Sequence, residues 1–207
     1  EMTSSLVGSE MCIRDRVIAL AGKAITTGDL SMAEKVAPLD GEIDRMEHSI
    51  EALCLKLLLQ QQPVARDLRQ ISAALKMITD MERIGDQASD IAEIIRFLGG
   101  RSTADCADIG KMAEATIKMV TESVDAYVKC DLSIAEAAIR HDDVVDDYFL
   151  KVKSSLIRMI AEKPEDGEYA LDLLMIAKYF ERIGDHAVNI AEWVVFSVTG
   201  VHKNEEV

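Results

Sequence analysis

Glu82 and Asp86 stand four residues apart inside the pentapeptide Glu-Arg-Ile-Gly-Asp, and the same five residues return at Glu181–Asp185. Positions i and i+4 share one face of a helix, so each copy sets two carboxylates side by side. Like charges so placed destabilise an isolated helix by about 0.2–0.5 kcal/mol. Gly85 and Gly184 sit between the acids, and a mid-helix glycine costs about 1 kcal/mol against alanine. Two local rules broken in the same way, twice, point to a constraint other than helix formation. The simplest candidate is a cation held between carboxylates.

A second acidic pair recurs with them. Asp29-Leu30-Ser31-Met32-Ala33-Glu34 matches Asp131-Leu132-Ser133-Ile134-Ala135-Glu136 at a spacing of 102, which carries Asp40 onto Asp142 and Asp44 onto Asp146. The pentapeptides are 99 apart, so the difference of three falls between Gln60–Pro63 in one half and Lys163–Gly167 in the other. A period of about a hundred residues is a duplicated domain rather than a solenoid unit.

The elements that must position these acids read as helices. Only 3 prolines occur in 207 residues, and the long apolar stripes keep a 3.6-residue period. Val17–Thr27 reads as the end of a first helix closed by Gly28. Asp29 or Ser31 caps a second segment running toward Gln60, with a kink or short break expected at Pro38. Pro63 is expected near the start of a third helix that ends at Leu98. Gly99–Thr103 reads as a linker, after which the plan repeats over Ala107–Lys129, Ser133–Glu162 and Tyr169–Val198. The tail Lys203-Asn204-Glu205-Glu206 reads as solvated and frayed.

Composition bounds the function. The chain is 49% hydrophobic and 29% charged, enough to bury a core, but only 4% aromatic, so aliphatic side chains must fill that core. No apolar run is long enough for a membrane span. A net charge of −14 argues against nucleic acid as a partner and against adsorption to anionic lipid. Cys12, Cys54, Cys106 and Cys130 form no C-x-x-C pair and read as reduced thiols rather than disulfides or zinc ligands. Residues 1–16, with Leu6-Val7-Gly8-Ser9-Glu10-Met11-Cys12-Ile13-Arg14-Asp15-Arg16, resemble the translation of a sequencing adapter. They are excluded from the fold reading, which leaves the first helix truncated.

Pro63-Val64-Ala65-Arg66-Asp67-Leu68-Arg69 leads through Ala73-Ala74-Leu75-Lys76 into Glu82–Asp86, and the second copy continues Asp185-His186 to Asn189-Ile190-Ala191-Glu192. With both repeats and their spacing, this run resembles the PhoU family of phosphate-specific transport accessory and regulatory proteins. The resemblance extends from Val17 to Val198. It implies an all-α fold of two tandem three-helix bundles related by pseudo-twofold symmetry, the first over 17–99 and the second over 100–207. It implies a negative regulator of phosphate uptake and of the phosphate-starvation response rather than an enzyme. Such a protein is a cytoplasmic adaptor, reaching the membrane only through its partners, the nucleotide-binding subunit of the phosphate ABC transporter and a sensor histidine kinase; a homodimer is compatible with it. Some members bind multinuclear iron or zinc clusters. Carried over residue by residue, the metal ligands are Glu82 and Asp86 with Asp40 and Asp44 in the first bundle, and Glu181 and Asp185 with Asp142 and Asp146 in the second. The chain departs from the family at Asp90, where the second repeat has Asn189 and the family favours asparagine.

Two acids from each of two helices give four carboxylates per bundle, an oxygen-rich set suited to magnesium, manganese, calcium or iron. Sparse histidine argues against a closed structural zinc site. The bland alternative is a solvated acidic face paired with Arg83 and Arg182 or with neighbouring lysines. His186 and His141 adjoin the second set and are lesser candidates, and Arg66, Asp67 and Arg69 form a charged patch that a partner could read. Two other functions stay open at this stage: a regulatory fragment of a larger transporter, and a metal-dependent hydrolase. No nucleophile–base pair or Gly-rich phosphate loop supports the hydrolase.

Overall fold

The structure, a computed structural model, describes residues 16–61, 63–99, 101 and 106–201. Residues 1–15, most of the linker and the charged tail, with the expectations placed on them, lie outside the described residues. Every element found is helical: α1 (16–27), a short α2 (Leu30–Ala33), α3 (Val36–Gln61), α4 (Arg66–Phe97), α5 (Ala107–Lys129), α6 (Leu132–Glu162), a 3-10 turn (Pro164–Asp166) and α7 (Gly167–Thr199).

The recurring Asp-Leu-Ser is a helix start in both halves. Asp29 Oδ1 accepts from the Ser31 amide at 2.9 Å, and Asp131 Oδ1 accepts from the Ser133 amide at 2.8 Å. Asp29, not Ser31, is therefore the cap, and one of the orphan donors of a helix N-terminus is satisfied. The Ser31 and Ser133 side chains first, and then these amide bonds, hold both carboxyls below the ordinary carboxylate pKa.

Three boundaries differ from expectation. The first half breaks at Glu34–Lys35, not at Pro38, which lies in the first turn of α3. There its missing N–H would have had no intrahelical acceptor, so proline fits without a kink. Pro63 precedes α4 by three residues; the helix begins at Arg66 after Ala65, whose φ of 43° is unusual for a residue with a Cβ. α7 starts at Gly167 rather than Tyr169, continuing from the 3-10 turn that Pro164 initiates.

The two halves share one hydrophobic cluster, with members from every helix. Among α2–α7 the most extensive packing is α4 on α7, the motif helix of one half against that of the other. Both helices alternate large and small residues on this scale: Met77, Ile84 and Ala88 are fully buried on α4, as are Phe180, Ile183 and Ala187 on α7. Alanines at such positions let helix axes approach while the larger side chains fill the gaps. α1 meets α5 the same way: a Cβ at Gly22 would stand 3.1 Å from Cβ of Ala113, and one at Gly110 only 2.8 Å from Cγ2 of Thr26. At the linker, the Arg101 guanidinium bonds Asp166 at 2.9 Å and lies 3.7 Å over the Tyr169 ring. Cys54, Cys106 and Cys130 are free thiols. Among the described residues, no helix is long and apolar enough to cross a membrane.

Candidate functional site

α6 and α7 run antiparallel from the Pro164 turn, which sets Asp142 and Asp146 opposite Glu181 and Asp185. Gly184 makes the approach close. A Cβ there would lie 3.6 Å from Asp142 Oδ1 and 3.6 Å from Cγ1 of Val145, so the Asp142 carboxylate reaches over the glycine. Burial, and then the fields of Asp146, Asp185, Asp143 and Glu181, push the Asp142 carboxyl up to about 6. Asp146 is raised by burial and by Glu181, and Asp185, though exposed over much of its surface, is raised for the same two reasons. Each acid thus lies within electrostatic reach of the others.

One cation sits among them. Lys178 Nζ donates to Glu181 Oε2 and lies 5.6 Å from the centre of the Phe149 ring on α6. Its charge opposes the upward shift at Asp146 and Asp185. Lys178 is one of the neighbouring lysines expected to pair with the acids, and its i, i+3 spacing from Glu181 sets the contact.

The donor set fits a hard cation in its chemistry, with several oxygens and too little positive charge. Among the described residues, however, no three His, Cys, Asp or Glu side chains converge as a ready-made ligand shell.

In the first bundle Asp44 and Asp86 are exposed, as their counterparts Asp146 and Asp185 are, but Asp86 pairs with Arg83 on its own helix at 3.4 Å, the solvated arrangement. Asp40 lies in α3, with its side chain outside the described residues. Glu82 is half-buried.

Neither candidate histidine faces the acids as a free ligand. His141 Nδ1 donates to Glu122 on α5 at 2.7 Å, and its Nε2 accepts from Lys118 at 3.0 Å. His186 Nδ1 donates to Asp80 on α4 at 2.9 Å, and Asn189 donates to the same oxygen at 3.0 Å. A carboxylate can only accept, which fixes the direction of both histidine bonds. Arg69 packs against the turn that ends α7, its guanidinium carbon 3.5 Å from where a Cβ of Gly200 would be.

A family model described as PhoU domain matches twice, over residues 15–95 and 109–194. The chain belongs to the PhoU family. It is 36% identical over 180 residues to the phosphate-specific transport system accessory protein PhoU homolog of Clostridium acetobutylicum, covering 86% of this chain and 82% of that one. It is 32% identical over 200 residues to the homolog of Pseudomonas aeruginosa, covering 91% and 83%. The crystal structure of PhoU from Pseudomonas aeruginosa superposes with a TM-score of 0.92 at 31% identity, covering 97% of each chain. The phosphate transport system regulatory protein PhoU from Streptococcus pneumoniae shares the fold, with a TM-score of 0.83 at 24% identity over 97% of each chain. The expected all-α, two-repeat PhoU fold is the fold observed.

Proposed function

We propose that this chain is a cytoplasmic negative regulator of phosphate uptake and of the phosphate-starvation response. It acts by contact, as an adaptor between the nucleotide-binding subunit of the phosphate ABC transporter and a sensor histidine kinase. The observation that carries this reading is similarity along most of the chain, through both repeats, to proteins named as accessory to phosphate-specific transport.

A regulator without chemistry of its own is consistent with the site. His141 and His186 are each bound to a carboxylate on a neighbouring helix. Asp142, Asp146, Glu181 and Asp185 of the second bundle are proposed ligands of a metal ion, and the crowding that raises Asp142, Asp146 and Asp185 supports the reading. Asp40, Asp44, Glu82 and Asp86 are the corresponding set in the first. A bound di- or trivalent ion, alone or in an iron or zinc cluster, would supply positive charge that ties α6 to α7 through shared carboxylates.

The test is complementation. In cells lacking their own family member, a starvation-response reporter is expected to fire in phosphate-rich medium. This chain, expressed with its cognate transporter and kinase, should silence it. Stable expression without repression would contradict the proposal.

A further inference from the structure

Two motifs recur in both halves and end on a glutamate outside the carboxylate sets. Asp29-Leu30-Ser31-Met32-Ala33-Glu34 and its copy close on Glu34 and Glu136. Asp90-Ile91-Ala92-Glu93 and Asn189-Ile190-Ala191-Glu192 close on Glu93 and Glu192. The fold brings the two motifs of each half together. Glu34 and Glu93 line a cleft of about 470 Å3 between α2–α3 and the last turns of α4. Glu136 and Glu192 line one of about 440 Å3 between the first turns of α6 and the last turns of α7. The repeat thus sets a glutamate pair on an equivalent cleft twice.

Both clefts combine apolar walls with carboxylates. Buried Ala33, Val36 and Ala92 line the first, where Asp90 adds a third carboxylate against one guanidinium, that of Arg96. Ile139, Val195 and the exposed Val201 line the second, and none of its lining side chains is basic. Glu136 keeps a loose contact with Arg140, at 3.7 Å and with both side chains mostly exposed. Apolar walls beside net negative charge fit a segment that carries an apolar side chain next to a lysine or arginine.

The clefts also lie far apart. α4 and α7 are antiparallel, since Asp80 meets His186 while Arg69, near the start of α4, packs on the Gly200 turn that ends α7. Each cleft sits toward the C-terminal end of its own motif helix, so the two fall at opposite ends of the α4–α7 pair. At 1.5 Å per residue they are roughly 30 Å apart, which leaves room for two proteins at once.

We propose that these two glutamate-lined clefts are docking sites, each receiving a basic, apolar segment of one protein partner. The inference rests on the adaptor reading above and says where the two partners sit. The clefts share their charge and differ in their walls, small residues in the first and branched aliphatic ones in the second, so they select different segments.

The experiment is calorimetric titration of the full chain with the cognate nucleotide-binding subunit, and separately with the cytoplasmic part of the kinase. Glu34→Lys with Glu93→Lys reverses the first cleft, and Glu136→Lys with Glu192→Lys reverses the second. Glu51→Lys with Asp125→Lys makes the same change of net charge elsewhere, and circular dichroism verifies that all three stay helical. The expected result is that each cleft reversal weakens one partner at least tenfold, a different partner for each cleft, while the control changes neither by more than twofold. Unchanged affinities in both reversals, equal losses in the control, or loss of the same partner from both clefts would overturn the assignment and leave the adaptor reading standing. No binding of either partner by the unsubstituted chain would overturn both.

Discussion

The carboxylate of Asp80 on α4 accepts the Nδ1 proton of His186 on α7, 2.9 Å away, and so joins the two halves of the molecule. Both side chains are largely buried, at 16% and 22% exposure, and Asn189 donates to the same oxygen. The repeat maps Asp80 onto Tyr179 and Asn189 onto Asp90, and after burial it is the nearby Asp90 carboxylate that holds the Tyr179 phenol above its ordinary pKa. The pseudo-twofold axis therefore relates two polar contacts of different chemistry across α4–α7. The departure at Asp90 thus has a structural consequence in this interface. Asp80→Ala leaves two donors unpaired and should lower stability by about 1–3 kcal/mol. Urea denaturation of Asp80→Ala, His186→Ala and the double variant should show coupling; additive losses would dissociate the pair.

Asp142 should make the metal-free protein respond to pH. Its folded pKa, about 6, lies above the ordinary carboxylate value, so the ionised group opposes folding. That penalty is complete above about 6 and is relieved as pH falls from neutrality toward 4. Asp142→Asn removes it, and with solvent screening the gain at pH 7 is about 1 kcal/mol. The difference between the two proteins should vanish near pH 4. A difference that stays constant from pH 7 to pH 4 would mean that the charge of Asp142 is not its cause.

Cys130 closes α5 with φ of 52°, in the left-handed region, where its counterpart Gly28 closes α1 with φ of 70°. A side chain in that conformation costs about 1–2 kcal/mol, and glycine's extra freedom in the unfolded chain returns part of this. Cys130→Gly should therefore raise stability by about 0.5–1 kcal/mol, read as a higher melting temperature. A lower one would show that the Cys130 side chain contributes more than its backbone costs.

Gly184 permits close helix approach yet leaves room for one methyl group, since the nearest atoms would be at ordinary contact distance from a Cβ. Gly184→Ala should be neutral or stabilising by up to about 1 kcal/mol through helix propensity. Gly184→Leu should drive α6 from α7 and lose stability by about 1–3 kcal/mol. Equal melting temperatures for the leucine and alanine variants would contradict the packing described for this groove.

Much of this arrangement is legible in the sequence because it rests on repetition and period. The matched acids, the Asp-Leu-Ser caps and the 3.6-residue stripes locate the helices to within a few residues. What escapes is decided between helices. Lys178 looks like any surface lysine until α6 places Phe149 and the acids around it. His186 adjoins Asp185 in sequence, but helix geometry turns it toward Asp80 on α4. The Glu34–Lys35 break was hidden by Pro38, the stronger breaker, which the first turn of α3 tolerates. The equal sequence match of the two acidic sets gives no hint that Asp86 pairs with Arg83 on its own helix while Glu181 takes Lys178.

The central claim is that the protein signals by contact. Its most direct test is calorimetric titration of the purified chain against the nucleotide-binding subunit of its cognate phosphate transporter, and separately against the cytoplasmic part of the kinase. Both titrations are run metal-free and with Mn²⁺. The account predicts saturable binding to each, at micromolar dissociation constants or tighter. No binding to either partner in any metal state, with the chain fully helical, would contradict it.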